Sequence, residues 1–466
     1  MAPIHPWFGD LARDHAPVWS VRQIRDALVR ELRDCGTRLE QDQVPVEPFV
    51  IARASYLELY AATRKLLDLI HRTVRAEAPT LGGRLAALGV DPACGEYPLF
   101  STNDGLEDHF WSAMARPDIV IGPDGPQFIE FNVSGAICGP AETYFFNKVF
   151  TEAYGGPEAA PFTGYHAFPA RADLFEAICA QRGLPKSVAL IGSPLDHHAE
   201  GSTYFDVEVE YLRSRGFDAR FVPPEELPHG LGLPGRLDYP LALRYFATAD
   251  WSDRGVCLDG VRAVLDAGCL LVPPQSSSLL ANKKVLGWLS EGRPWMDEAD
   301  RALVQRYVPW TRVVTDDRKV TDADGLPVRL PQLLKTDRKS YVLKRAVGMM
   351  GRNVLIGRDA PAEHWDRAVD AAVATGDHIV QRFVEPAAYP LRISDEEGNR
   401  SQQVDVAVVL SPCLIGGRPA GCYGRYLTSG LPGVIGEPSS GAMENVIVSE
   451  RLDTPLPAAT AHEVGS

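Results

Sequence analysis

The chain has 466 residues, with 47 Lys and Arg against 61 Asp and Glu for a formal charge of −14, and it is 45% hydrophobic and 23% charged. Those proportions fit a globular chain with a sizeable core and exclude disorder and collagen-like fibre. At ~150 residues per domain the length predicts about three domains, or one large α/β core with additions, and the acidic balance argues against a nucleic-acid binder, which carries a basic face.

The first residues, MAPIHPWFGDLARDH, reach charge before any apolar run, so no signal peptide is read there. No stretch of 18 apolar residues suggests a membrane span. Eight cysteines (Cys35, Cys94, Cys138, Cys179, Cys257, Cys269, Cys413, Cys422) contain no CxxC pair, which predicts reduced structural thiols in a cytoplasm rather than a disulfide scaffold or zinc knuckle. Residues 1–100 read as helical packing elements. Ser20 is placed to cap VRQIRDALVRELRDC, with Ile24, Leu28 and Leu32 four apart, and ARASYLELYAATRKLLDLIHRTVR repeats the pattern.

Residues 101–186 hold the most informative stretch, ARPDIVIGPDGPQFIEFNVSG. Two β-rich runs flank GPDGP, a turn of Gly, Pro and Asp. A hairpin centred on Asp124 sets residue 118 against 130 and 116 against 132. Alternation then puts Arg116, Asp118, Glu130 and Asn132 on one face, with Ile119, Ile121, Ile129, Phe131 and Val133 on the other. Two directly opposed carboxylates repel; a cation between them relieves this, and Asp, Glu and Asn offer the hard oxygens that Mg2+ accepts. Read blandly, the same face is a solvated surface with an Arg–Asp pair. Cys138, Trp111, Tyr144, Phe145 and Phe146 read as structural.

Residues 187–280 read as an α/β layer: SVALIG a buried strand, STYFDVEVEYLRSRG a helix, DARFVPP, LALRYF and CLLVPP further strands. No GxGxxG follows the first strand, which disfavours a dinucleotide fold. Asp196-His197-His198 at the first βα turn reads as a loop, with a substrate contact as the sharper alternative. In 281–450, YVLKRAV, NVLIG, HIVQRFVE and VDVAVVL read as strands, GMMGRN as a turn and PAEHWDRAVDAAVATG as a helix. Residues 451–466 read as a loose tail.

RPD, a DG turn and EFN together resemble the magnesium-binding hairpin of the ATP-grasp ligases. Its early place in the chain resembles the circularly permuted ATP-grasp group, to which glutathionylspermidine synthetase belongs. QSSSLLANKKVLGWL is similar to the segment in which a lysine opens a helix, here Lys283. YVLKRAVGMMGRNVLI is similar to the strand–lysine–glycine loop over the triphosphate, with Lys344, Gly348, Gly351 and Arg352. HIVQRFVEP is similar to the adenine strand and hinge, with Gln381 and Val384, and GCYGRYL to a late strand with a phosphate arginine, Arg425. NVSGAICGP departs from the Asn-x-Asp-Thr-Pro-Thr pattern of the family, which leaves the acceptor substrate unassigned.

The resemblance implies an α/β, permuted ATP-grasp fold with a helical N-terminal region and an α/β layer domain at 187–280. It implies a carboxylate–amine ligase that uses ATP and Mg2+, with Asp118, Glu130 and Asn132 on the metal, Lys283, Lys344, Gly348, Gly351, Arg352, Gln381 and Val384 on ATP, and Arg116 and Arg425 catalytic. Lys284 is the rival of Lys283, Arg345 is a lesser candidate for phosphate, and Arg116 has a second reading as the residue that orients Glu130. The expected partners are small-molecule acid and amine substrates, with no nucleic acid and no membrane; a homo-oligomer is left open. A non-catalytic ATP-binding module and a kinase on the same fold are the alternatives.

Overall fold

The computed structural model describes residues 5–8, 15–34, 44–90, 109–137, 139–193, 204–233, 236–315, 319–321, 325–348, 353–395, 397–428, 435, 441–452 and 455–457. Its largest sheet has eight strands. They run in the order β1 (Phe49–Ile51), β20 (Met443–Glu450), β19 (Arg418–Thr428), β18 (Ser401–Ile415), β2 (Met114–Gly122) and β3 (Gly125–Val133). In addition β17 (Ala388–Ser394) pairs with β18, and β4 (Phe162–Thr163) with β20. Every ladder is antiparallel except β1 on β20.

A four-stranded sheet follows the order β10 (Leu270–Val272), β9 (Leu241–Arg244), β5 (Ser187–Ile191) and β6 (Asp218–Val222), all parallel. The apolar runs read from the sequence become strands here because both faces are covered, which buries every residue of β5, β9 and β10. The third sheet is antiparallel, in the order β11 (Thr311–Val313), β16 (His378–Arg382), β14 (Tyr341–Arg345) and β15 (Val354–Ile356). The helix Ala362–Thr375 packs against it through buried Trp365 and Val369. Two short ribbons, β7 (Gly232–Leu233) with β8 (Arg236–Leu237) and β12 (Lys319–Thr321) with β13 (Pro327–Arg329), complete the strands.

The large sheet buries both faces. Leu59, Leu66 and Ile70 of the helix Arg53–Glu77 cluster with Leu410, Leu414 and Tyr426. Phe146 and Phe150 of the helix Pro140–Ala153 and Phe175 of the helix Ala167–Arg182 cluster with Ile415, Ala420 and Val448. The helix Val21–Asp34 begins with a capping box: Ser20 Oγ accepts from the Gln23 amide at 3.3 Å while Gln23 Oε1 accepts from the Ser20 amide at 2.8 Å. Its Ile24, Leu28 and Leu32 are buried as their spacing predicts. The stretch expected to be wholly helical also contains β1, because three apolar residues are too few to show a period of their own and take their structure from β20.

Among the described residues no helix is long and apolar enough to cross a membrane.

Candidate functional site

The hairpin β2–β3 closes on Gly122 opposite Gly125, with only Pro123 and Asp124 between them, and Gly125 takes φ +107°, a conformation glycine tolerates. That turn is centred half a residue earlier than the symmetric reading expects. A bulge between Asp118 and Ile119 restores the difference, so Arg116 faces Asn132 and Asp118 faces Glu130 as anticipated. Ile129 is the extra residue. It leaves the core face, where Phe128 takes its place fully buried, and its carbonyl turns to accept from Lys344 Nζ at 3.1 Å. The expectation that Ile129 packs inward is therefore corrected, while Ile119, Ile121, Phe131 and Val133 are buried.

Asp118 is buried between two guanidiniums. Arg425 Nη2 lies 2.7 Å from its Oδ2 and Arg116 Nη2 lies 3.8 Å from its Oδ1, while Ser411 Oγ donates to Oδ1 at 2.9 Å. Burial alone would raise its pKa, but Arg425 first and Arg116 second outweigh it and hold the carboxyl at about 2. Arg425 arrives because Val409 and Arg425 are register partners in β18–β19, and Val409 is also the partner of Val120 on β2. Asn132 Nδ2 donates to the Arg116 carbonyl at 3.2 Å. That leaves its amide oxygen unengaged by this bond, on the strand that also carries Glu130 opposite Asp118; two carboxylates and an amide are hard oxygens of the kind a divalent cation accepts. Among the described residues no group of three or more His, Cys, Asp or Glu is placed to hold a metal ion.

Two lysines reach this hairpin from elsewhere in the fold. Lys283, just ahead of the helix Lys284–Glu291, sets Nζ 3.0 Å from Glu130 Oε1 and 3.1 Å from the Gly348 carbonyl. Lys344, on β14, donates to Gln381 Oε1 at 2.8 Å as well as to Ile129. Burial, with Lys283 adding to it, pulls the Lys344 pKa down to about 8 against the opposing pull of Glu130 and Asp118. Gln381 is held in turn by donating to Thr311 Oγ1 at 3.0 Å.

Other expected residues lie apart. Lys284 Nζ donates to the Leu88 carbonyl at 3.0 Å, away from the carboxylates. Arg345 is exposed and pairs with Asp377 at 3.0 Å. Val384 packs against the hairpin turn, its Cγ1 only 2.7 Å from where a Cβ on Gly122 would stand. Gly351, Arg352, Asp196-His197-His198 and Cys138 lie outside the described residues. Trp111, Phe145 and Phe146 are buried, as expected.

Sequence reasoning missed Ser411, whose signal is a hydroxyl inside the apolar run of β18, and a buried acid pair behind the arginines. Glu142 opens the helix Pro140–Ala153 as the N3 residue of a capping box, accepting from the Gly139 amide at 3.0 Å, a signal legible in GPAE. It also accepts from Tyr204 at 3.2 Å. Glu444 is the register partner of Arg425. Burial and then the nearby Glu142 raise its pKa to about 7, and burial raises that of Glu142 also.

The segment after Asn132 is seated tightly: a Cβ on Gly135 would stand 2.1 Å from the Arg244 carbonyl and 3.0 Å from Pro273. Gly135→Ala should therefore cost about 1–3 kcal/mol of stability, read in a urea titration. An unchanged midpoint would mean the segment is not seated there.

The chain matches no family model and no curated protein. Among solved structures it is similar to a glutathione synthetase-like effector from Globodera pallida in its apo form, at 12% identity and a TM-score of 0.55, over 92% of this chain and 96% of that one. It is also similar to a protein assigned as a gamma-glutamylcysteine synthetase from Methylobacillus flagellatus KT, at 13% identity and a TM-score of 0.41, over 88% and 90%, too distant to carry an argument. The first likeness is one of fold.

Proposed function

We propose that this chain is an ATP- and Mg2+-dependent ligase that joins a carboxylate to an amine through an acyl phosphate, releasing ADP and phosphate. One observation carries the reading: two opposed carboxylates and a carboxamide on one hairpin face are met by two lysines from separate elements, Lys283 at Glu130 and Lys344 at the Ile129 carbonyl. Phosphoryl transfer asks a protein mainly for positioning and charge neutralisation, and this is such a set. The glutathione synthetase-like effector that shares the fold supports the same class. A permuted ATP-grasp order is supported by β2 of the early hairpin pairing with β18 of the late strands.

In this reading Asp118, Glu130 and Asn132 hold Mg2+, which would neutralise charge on the transferring phosphoryl oxygens. Lys283 and Lys344 bind phosphate oxygens, with Gly348, Gly351 and Arg352 as further candidates for contact with the nucleotide. Gln381 keeps Lys344 aimed, and with Val384 borders the base. Arg425 fixes Asp118, and Arg116 presents a planar fork to the acyl phosphate.

The test supplies ATP, Mg2+, hydroxylamine and a panel of amino acids, and follows hydroxamate and nucleotide products. ADP with hydroxamate is expected. AMP would overturn the acyl-phosphate route, ADP without a captured acyl group would leave a kinase, and tight ATP binding without turnover would leave a binding module.

Lys344 adds a pH dependence. Above pH 8 the folded protein loses that proton while bound phosphate favours keeping it, so nucleotide binding should weaken as pH rises beyond about 8 and take up a proton. Calorimetry in buffers of different ionisation enthalpy reads the uptake. A flat affinity from pH 7 to 9.5 would remove Lys344 from the phosphate site.

A further inference from the structure

Of the two carboxylates on the hairpin face, only Glu130 is neutralised by a side chain that can leave. Asp118 is held by Arg425 at 2.7 Å and by Ser411 at 2.9 Å, both projecting from strands of the same sheet. Glu130 is met by Lys283, a point charge on a flexible stem, at 3.0 Å. The Lys283 backbone is anchored, its amide donating to the Ala346 carbonyl at 2.9 Å, so the side chain swings from a fixed base. Its second contact is the Gly348 carbonyl. Lys344 differs: the acceptors of its ammonium are the neutral Gln381 Oε1 and the Ile129 carbonyl, so it has no bond to either carboxylate to give up.

A divalent cation that takes the Glu130 carboxylate competes with that ammonium, since two cations on one carboxylate repel each other. The displaced ammonium is then left buried, with only 5% of its side chain exposed, and needs a new anion. Resting on the ligase reading above, we propose that Lys283 is the exchangeable counter-ion of Glu130: it competes with the metal for that carboxylate and moves to the nucleotide phosphates when the metal arrives. Metal and nucleotide then favour each other's binding through this one side chain, and the coupling is reciprocal. Coordination of phosphate by the metal would also couple the two ligands, but it would not make Lys283 an obstacle to the metal alone.

The test therefore measures Mn2+ binding without nucleotide, from the electron paramagnetic resonance signal of the free ion, in the full chain and in Lys283→Met and Lys283→Arg. Lys283→Met should bind Mn2+ about two- to fivefold more tightly than the unaltered protein, the upper part of the range expected on losing one competing ion pair. Lys283→Arg, which keeps a competing cation, should stay near the unaltered value. Adding a non-hydrolysable ATP analogue should tighten Mn2+ binding less in Lys283→Met than in the unaltered protein, by the same factor. Unchanged or weaker Mn2+ binding in Lys283→Met overturns the exchange. If Lys283→Met does not keep the wild-type unfolding midpoint, Lys283→Gln replaces it in the same measurement. Absence of both Mn2+ and analogue binding in the unaltered protein would instead sink the ligase reading itself, so the two failures are distinct.

Discussion

Glu130→Ala is expected to reduce ATP turnover by more than about 100-fold, beyond the 10–100-fold that follows loss of a ligand's outer partner, while the protein still folds. Glu130 is the partly exposed member of the acidic pair, with 21% of its side chain accessible, and its ion pair is with Lys283. In the proposed reading, removing it deletes a metal oxygen; it also leaves the buried Lys283 ammonium with only the neutral Gly348 carbonyl as a partner among the described residues, so a modest loss of about 1–3 kcal/mol of stability accompanies the loss of turnover. Steady-state kinetics and a thermal melt read the two halves of the prediction. Undiminished turnover would remove the metal-site assignment, and a large fall in melting temperature would reassign Glu130 to stability.

Asp118→Ala should behave differently, losing about 3–5 kcal/mol of stability as well as turnover. Its partners are nearly buried, with 9% of the Arg116 side chain and 15% of the Arg425 side chain exposed, so removing the carboxylate takes from two guanidiniums held out of water the anion they pair with here. The same pair makes the fold acid-sensitive. The Asp118 pKa is depressed from 3.8 to about 2 in the folded chain, so its contribution is complete above about pH 4 and is lost as pH falls through 2; at 1.36 kcal/mol per unit this is about 2 kcal/mol. Chemical denaturation from pH 7 to pH 2 should show that loss in the unaltered protein and not in Asp118→Ala. A variant as stable as the parent would mean that water or other anions replace Asp118.

The acid pair Glu142 and Glu444 works in the opposite direction. Carboxyl groups whose folded pKa is raised lend stability at low pH that fades as pH rises, through about 7 in the case of Glu444. Arg116 acts on all three buried acids and Arg425 on Asp118 and Glu444: together they hold Asp118 well down, but only partly offset the burial that raises Glu142 and Glu444.

Much of this site was legible from residues near one another in the chain. The opposition of Asp118 and Glu130 followed from a Gly-Pro-Asp-Gly turn and a two-residue repeat, and it held even though the turn sits half a residue earlier than symmetry suggests. The bulge at Ile129 was not legible, because it depends on Phe128 filling the core and on Lys344 waiting for a carbonyl from 215 residues away. Lys283 and Lys284 could not be separated in the sequence, since adjacent residues leave a helix start in different directions and only the packing says which direction holds the acids. In the fold Lys284 meets Leu88 and Lys283 meets Glu130. Ser411 and Glu444 were invisible as site residues, since each becomes one only through its neighbours in the sheet.

The amino-acid sequence by itself determined the elements whose logic is local: the hairpin face, the parallel strands from β5 to β10, and the capped helices, all governed by side-chain period and turn chemistry. Tertiary structure alone decided which cation neutralises which carboxylate. Ion pairs depend on distances through space, and Lys283, Lys344 and Arg425 lie 153, 215 and 307 residues along the chain from their partners Glu130, Ile129 and Asp118 in the hairpin.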